Sequence, residues 1–405
     1  MRVLVAPDKF AGTLTATEAA QAIADGWHRT APGDEIELVP LSDGGPGFLE
    51  VMYAGLGGYL HPVTVAGPLG DTVDARILLT HDGEVPTAYV EAASASGLHL
   101  VPPDRRDPLA ASSAGLGALL IEAEDSGVAR IVVGVGGTAS TDGGAGMLAA
   151  LGATPADPLL GGGGGLVDLR AGLGEQGASA PTGGTRTVDL SPARRLLEKV
   201  ELVAATDVDA PLLGDSGAAH GFGAQKGADR AARELLENAM RTWAGATDGG
   251  LAVKAGTGAG GGIGFGLMLL GATRVPGAQL ALDATGLVER ARHADLLVTG
   301  EGAFDWQSLR GKVVAGVART GQATGRPTVV LAGRVEVGRR ELANAGIDAA
   351  YAVDGTPRRS SDHPDAERDA GPDRRPDGGP GSESGHSPAE ELSALAERVA
   401  RSWSR

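Results

Sequence analysis

Residues 131–152 read IVVGVGGTASTDGGAGMLAALG. The first five residues are apolar and mostly β-branched, as in a buried strand. The loop GGTASTDGG follows, with two Gly pairs, three hydroxyls and one carboxylate, Asp142. A helix of small residues is predicted over 145–151, and Gly152 stands where a left-handed C-cap favours glycine. Strand, glycine loop and helix together aim backbone N–H groups and a helix N-terminus at an anion. Hydroxyls add donors for phosphate oxygens. Asp142 repels phosphate unless a metal stands between them, so the loop reads as a metal–phosphate site. The same letters also describe a tight βα turn whose Asp caps the helix.

Other strands end in the same way. Residues 2–6 form an apolar run closed by Pro7, Asp8 and Lys9. Thr15 and Glu18 then spell a capping box, and Ala19, Ala20, Ile23, Ala24 and Trp27 recur at helical spacing. Residues 35–40 alternate as a strand and end in Ser42-Asp43-Gly44-Gly45. Residues 201–205 end in Thr206-Asp207-Val208-Asp209, two carboxylates that reach one hard cation if the backbone turns there. A strand over 295–299 is followed by Gly300-Glu301-Gly302 and Asp305, then by a helix from about Lys312. Further strands are predicted at 328–331 and 350–353. Repeated βα units with carboxylates at the strand ends indicate a parallel sheet with a site at its carboxyl edge.

The character changes near residue 62. Strands at 63–65, 72–80 and 87–92, joined by Gly, Asp and Pro turns, read as an antiparallel patch. The expected fold class is therefore α/β with two domains. A Rossmann- or flavodoxin-like parallel-sheet domain, 1–66 plus 288–405, is interrupted by an inserted α/β domain with a mixed sheet, 67–287. Residues 155–188 are glycine-rich and read as loop. Residues 356–388 are so rich in Pro, Gly, Asp, Arg and Ser that disorder is expected, before an amphipathic helix over 390–403.

Composition narrows the chemistry. The 405 residues include 66 Gly, 3% aromatics and no Cys, which removes disulfides and thiolate metal sites. A net charge of −16 argues against nucleic acid and against an anionic membrane as partner. No leading apolar stretch is long enough for a signal peptide or a span, so a cytoplasmic location is expected. Only five of the 35 basic residues are Lys, and Lys9, Lys226, Lys254 and Lys312 lie in or beside glycine-rich loops. Lys is a common phosphate partner.

Walker A, GxSxG and paired-His motifs are absent from the sequence. GxGxxG occurs at Gly256, Gly258 and Gly261 with Asp283 beyond, which keeps an NAD(P)-dependent dehydrogenase as an alternative. Carboxylates, hydroxyls, glycines and lysines at strand ends suit phosphoryl transfer better.

Seven segments, taken together and in order, resemble the class I glycerate kinase family. They are APDKFAGTLTA at 6–16, LSDGG at 41–45, VGVGGTASTDGGAGMLAALG at 133–152, ATDVDAPLLG at 205–214, FGAQKGA at 222–228, GTGAGGGIG at 256–264 and VTGEGAFDWQSLRGKVVAGVA at 298–318. The resemblance implies phosphorylation of D-glycerate by ATP with Mg2+, the 2-hydroxyl being the favoured acceptor, in a cleft between two α/β domains. Asp8, Asp43, Asp207, Lys226 and Lys312 are the expected catalytic residues. Gly136, Gly137, Thr138, Asp142, Gly143 and Gly144 are expected to cradle the nucleotide. So are Gly258, Gly260, Gly261 and Gly262, with Gly300, Glu301 and Gly302. Asp207, Asp209 and Asp305 are the expected metal ligands. A homodimer is compatible with the sequence.

The chain departs from the family pattern in three places. Lys9 precedes Phe10 where the family usually has DSFKGS, and Pro46 replaces a common Glu. Ala303-Phe304-Asp305-Trp306 replaces Arg-Ile-Asp-Ser. These departures leave two further readings: a kinase of another small hydroxy acid, and a member that binds without turnover.

Overall fold

The computed structural model describes residues 1–10, 12–81, 85–167, 169, 188–353 and 386–404. Eleven strands lie among these residues: β1 (Arg2–Val5), β2 (Glu35–Leu38), β3 (Tyr59–Ala66), β4 (Thr72–Thr80), β5 (Thr87–Glu91), β6 (Arg130–Gly134), β7 (Glu201–Ala205), β8 (Thr273–Val275), β9 (Leu296–Phe304), β10 (Thr328–Val335) and β11 (Ala349–Ala352). They make two sheets, one in each of the units into which the chain divides: Met1–Leu41 with Gly286–Arg405, and Ser42–Thr285. The α/β class holds, with one parallel and one mixed sheet.

The first unit carries the order β11-β10-β9-β1-β2, every pair parallel. Its inner strands β1, β9 and β10 are buried along most of their length, so β1 and β9 read as continuous apolar runs, while the edge strand β2 exposes Glu35, Glu37 and Leu38. The helix Ala16–Thr30 begins with the capping box of Thr15 and Glu18, both halves formed. Its apolar stripe of Ala19, Ala20, Ile23 and Trp27 joins a core with Val3, Val5, Leu296, Val298, Val329 and Leu331. The helix Pro388–Trp403 adds Leu392, Leu395 and Val399 to that core. It lies close on the first helix because Gly26 has no side chain: a Cβ there would sit 2.0 Å from the Ser393 carbonyl oxygen. The stretch expected to be disordered, 356–388, falls outside the described residues except at 386–388, where Ser387 caps the last helix.

In the second unit β3, β4 and β5 pair antiparallel, and β5, β6, β7 and β8 pair parallel. The first division of the chain falls at residue 41 rather than at 66. β3 pairs along its whole length with β4, Tyr59 opposite Leu79 through Ala66 opposite Thr72. The helix Phe48–Leu56 buries Phe48, Leu49 and Met52 against Leu78, Val132 and Val203 of the same sheet. The second division, at 285, lies two residues before the expected one.

Two local expectations are corrected. Described residues of the 155–188 run form the helices Ala156–Leu160 and Gly162–Gly165, anchored by Leu159 and Leu166 in the core; most of the remainder lies outside the described residues. β9 continues to Phe304, so Gly300, Glu301 and Gly302 are strand residues paired with β10, not a loop. Gly300 is required because a Cβ there would meet the Leu331 carbonyl oxygen at 2.0 Å. The GxGxxG run of Gly256–Gly261 follows a 3-10 turn, Leu251–Val253, rather than the strand that a dinucleotide fingerprint needs.

Candidate active site

In the second unit β6 runs into the glycine loop. Gly137, Gly143 and Gly144 have φ of 68°, 64° and 74°, the left-handed region in which glycine alone is unstrained. Asp142 is fully buried and both its oxygens are engaged. Oδ2 accepts from Ser113 N–H (2.8 Å), Ser113 Oγ–H (2.7 Å) and Gly146 N–H (3.2 Å), and Oδ1 from Gly144 N–H (3.1 Å). It therefore ties the start of the helix Ala145–Ala150 to that of Ala114–Asp125. Of the two readings of this loop, the geometry is that of the cap. Burial still pushes the carboxyl's pKa up, with the Ser113 and glycine hydrogen bonds pulling the other way.

The second glycine run meets this loop. Gly143 N–H donates to Gly261 O (3.0 Å), and Gly260, Gly261 and Gly262 have φ of 60°, 68° and 93° in succession. Lys226, only 4% exposed, donates from Nζ to the Ser140 carbonyl at 2.5 Å. A Cβ on Gly261 would lie 1.9 Å from that carbonyl oxygen and 2.7 Å from Nζ, and one on Gly260 3.5 Å from Thr138 Oγ1. Gly258 instead packs on the Pro211 carbonyl. Around the junction the hydroxyls of Ser96, Thr138, Ser140 and Thr141 are buried without a hydrogen-bond partner. Ser96 belongs here because its carbonyl accepts from Ala139 N–H (2.7 Å). Each such hydroxyl costs about 1–3 kcal/mol. Buried hydroxyls are normally hydrogen-bonded, so four without a protein partner set this junction apart.

Burial lowers the Lys226 pKa from 10.5 to about 8, opposed by Asp142. The unfolded chain then holds the proton more tightly than the folded one. The desolvation cost is thus present below pH 8 and relieved as pH rises from about 8 to 10.5. Lys226→Met is expected to abolish a rise in stability of up to roughly 3 kcal/mol over that window, read as the difference in denaturant midpoint between pH 7.5 and 10 for the two proteins.

The carboxylates separate. Asp43 lies on a turn set against β7 and the glycine loop: a Cβ on Gly44 would be 2.5 Å from Ala205 O, and one on Gly136 2.7 Å from Gly45 Cα. Asp43 Oδ1 accepts a long bond from Gly45 N–H (3.2 Å). Asp207 Oδ2 accepts from Ala278 N–H (2.9 Å) in the first turn of the helix Gly277–Ala284. A Cβ on Gly277 would meet Asp43 O at 2.4 Å, so Asp43 and Asp207 share one strand end. Asp209 leaves it: its side chain is 74% exposed and pairs with Arg274 at 2.6 Å. Asp209→Asn is expected to keep kcat and KM within about 2-fold of wild type, since exposed pairs contribute little; steady-state kinetics check this.

In the first unit Asp8, 6% exposed, follows β1, and its N–H donates to Gly300 O (2.9 Å). Asp8 Oδ1 accepts from Lys9 N–H (2.8 Å), with Lys9 Nζ at 3.7 Å. Glu301 is 9% exposed and its Oε1 has no hydrogen-bond partner. Burial raises its pKa to about 7; Ser308 and Lys312 oppose the shift, Asp8 and Asp305 add to it. Asp305 Oδ1 closes its own turn on the N–H groups of Gln307 (2.7 Å) and Ser308 (3.2 Å). Lys312 occupies the N-cap of the helix Val313–Thr324. Trp306, 59% exposed, carries the Arg310 guanidinium 4.6 Å above its ring.

A family model described as the glycerate kinase family matches residues 3–368. The chain belongs to that family. A glycerate kinase of Halalkalibacterium halodurans is 39% identical over 87% of this chain and 90% of its own length. The glycerate 2-kinase of Escherichia coli is 38% identical over the same shares. The crystal structure of a putative glycerate kinase 2 from Salmonella typhimurium LT2 superposes with a TM-score of 0.68 at 32% identity, covering 99% of this chain and 98% of that one. Among the described residues no helix is long and apolar enough to cross a membrane.

Within this family frame, the expected metal ligands Asp207, Asp209 and Asp305 are each held by a different local partner. No group of three or more His, Cys, Asp or Glu stands together among the described residues. Kinase Mg2+ takes one or two carboxylates and completes its shell with phosphates and water. Asp8 and Glu301 fit that smaller requirement: two buried carboxyls acting on each other, one with an unpartnered oxygen. Ser96, Ser140 and Thr141, buried at the junction of the two glycine runs, are not among the expected site residues. The last two were visible as hydroxyls of the loop; nothing local marks Ser96.

Proposed function

We propose that this chain transfers a phosphoryl group from ATP to the 2-hydroxyl of D-glycerate, with Mg2+ assisting. The observation that carries the reading is the likeness to the E. coli protein named glycerate 2-kinase, which spans nearly all of both chains. The geometry supplies groups for each task. Asp43, on its glycine turn beside the loop 136–144, takes the proton of the acceptor hydroxyl. Lys312, at the start of a helix of twelve residues, draws phosphate together with the helix N-terminus. Asp8 and Glu301 would hold Mg2+, which when bound neutralises charge on phosphate oxygens. Lys226 holds substrate charge in the second unit.

ADP release measured across D-glycerate, L-glycerate, glycolate and lactate tests the reading. D-Glycerate is expected to give the highest kcat/KM. Preference for another acid would instead support the kinase alternative that Trp306 motivates. No release above background with any acid would leave a binding protein.

A further inference from the structure

The junction of the loop 136–144 with Gly260–Gly262 offers a ligand four unpaired hydroxyls and one ammonium. Its charge is modest. Asp142, as deeply buried as Lys226, offsets that cation. Lys226 against Asp142 leaves the junction itself close to neutral. A single carboxylate adds one negative charge to it; a triphosphate, even with Mg2+, adds more. Hydrogen bonding points the same way. Phosphate oxygens only accept, whereas glycerate's hydroxyls both donate and accept, as the four protein hydroxyls do.

We infer that this junction is the hydroxy-acid site, binding glycerate by its carboxylate and hydroxyls, and that it does not hold the nucleotide phosphates. The inference rests on the proposed reaction and refines it. Ser140 and Thr141 are fully shielded from solvent and Thr138 nearly so.

Thr138→Val and Ser140→Ala, each made separately, test it by steady-state kinetics with both substrates. The expected result is a KM for D-glycerate raised about 10-fold or more, with the KM for ATP within about 2-fold of wild type, because a buried hydroxyl loses its partner. The preference for D-glycerate over lactate falls in parallel. Thr138→Ser, which keeps the hydroxyl, should restore the wild-type KM, so a loss of fold in the valine variant cannot imitate the effect. A raised KM for ATP at constant glycerate KM overturns the inference. So does an unchanged KM for both in folded variants, which would mean that the hydroxyls hold an internal water. Wild type that releases ADP with D-glycerate while the variants fail these expectations sinks the site assignment alone. Wild type inactive on D-glycerate sinks the reaction and the assignment with it.

Discussion

Asparagine in place of Asp43 is expected to leave the fold intact and to lower kcat by roughly 10²–10⁴-fold, the usual contribution of a positioned general base. The substitution keeps the shape of the side chain and its acceptor for Gly45 N–H, now 3.2 Å away. Gly44 and Gly45, which let the turn press on Ala205 and Gly136, are untouched. What disappears is the ability to take a proton. kcat and kcat/KM should therefore fall together, because the lost interaction forms in the transition state. Asp207→Asn is the control. Its Oδ2 already caps the helix Gly277–Ala284 at 2.9 Å, and asparagine can still accept that bond. A smaller loss, of about 10-fold or less, is expected there. Near-wild-type turnover of Asp43→Asn would remove Asp43 from the chemistry.

Asp142→Ala is expected to destabilise the second unit by roughly 3–5 kcal/mol, enough to unfold a protein of ordinary stability. Four donors converge on this carboxylate: Ser113 N–H, Ser113 Oγ–H, Gly144 N–H and Gly146 N–H. Removing it strands them in a fully buried position and leaves the Lys226 ammonium without its offset. Urea unfolding of wild type, Asp142→Ala and Asp142→Asn measures the effect. Asparagine should retain part of the stability, since one oxygen still accepts. A stable Asp142→Ala protein lacking only ATP affinity would instead return Asp142 to the role of a metal or phosphate ligand.

Much of the fold is legible from short-range pattern. The Thr15–Glu18 capping box, the β-branched run of β6 and β7 at residues 201–205 stand where spacing puts them. These signals depend on neighbours within a few residues. The chain is less legible wherever a distant partner decides. Gly300 and Gly302 look like a phosphate loop in sequence, yet they are strand residues because β10 runs beside them. β8 has only three residues, Thr273–Val275, too few to show a period. Residues 42–66 carry a βα signature that fits either unit, and only pairing with β4 settles it.

The site divides along the same line. Both glycine runs are legible as loops for close backbone approach; that they meet at Lys226 is decided by partners distant in sequence. Asp142 does not, because an aspartate between a strand and a helix serves equally as cap and as ligand until its four donors are seen. Asp209 and Asp207 sit two residues apart in sequence, but one faces solvent and Arg274 while the other caps a helix.

Coupling the reaction to enolase tests the central claim most directly. Protein, ATP, Mg2+ and D-glycerate are incubated with enolase and no phosphoglycerate mutase, and phosphoenolpyruvate is followed by absorbance. Transfer to the 2-hydroxyl predicts that phosphoenolpyruvate accumulates at the rate of ADP release. ADP release whose product becomes phosphoenolpyruvate only after mutase is added would place the phosphate on the 3-hydroxyl and contradict the account.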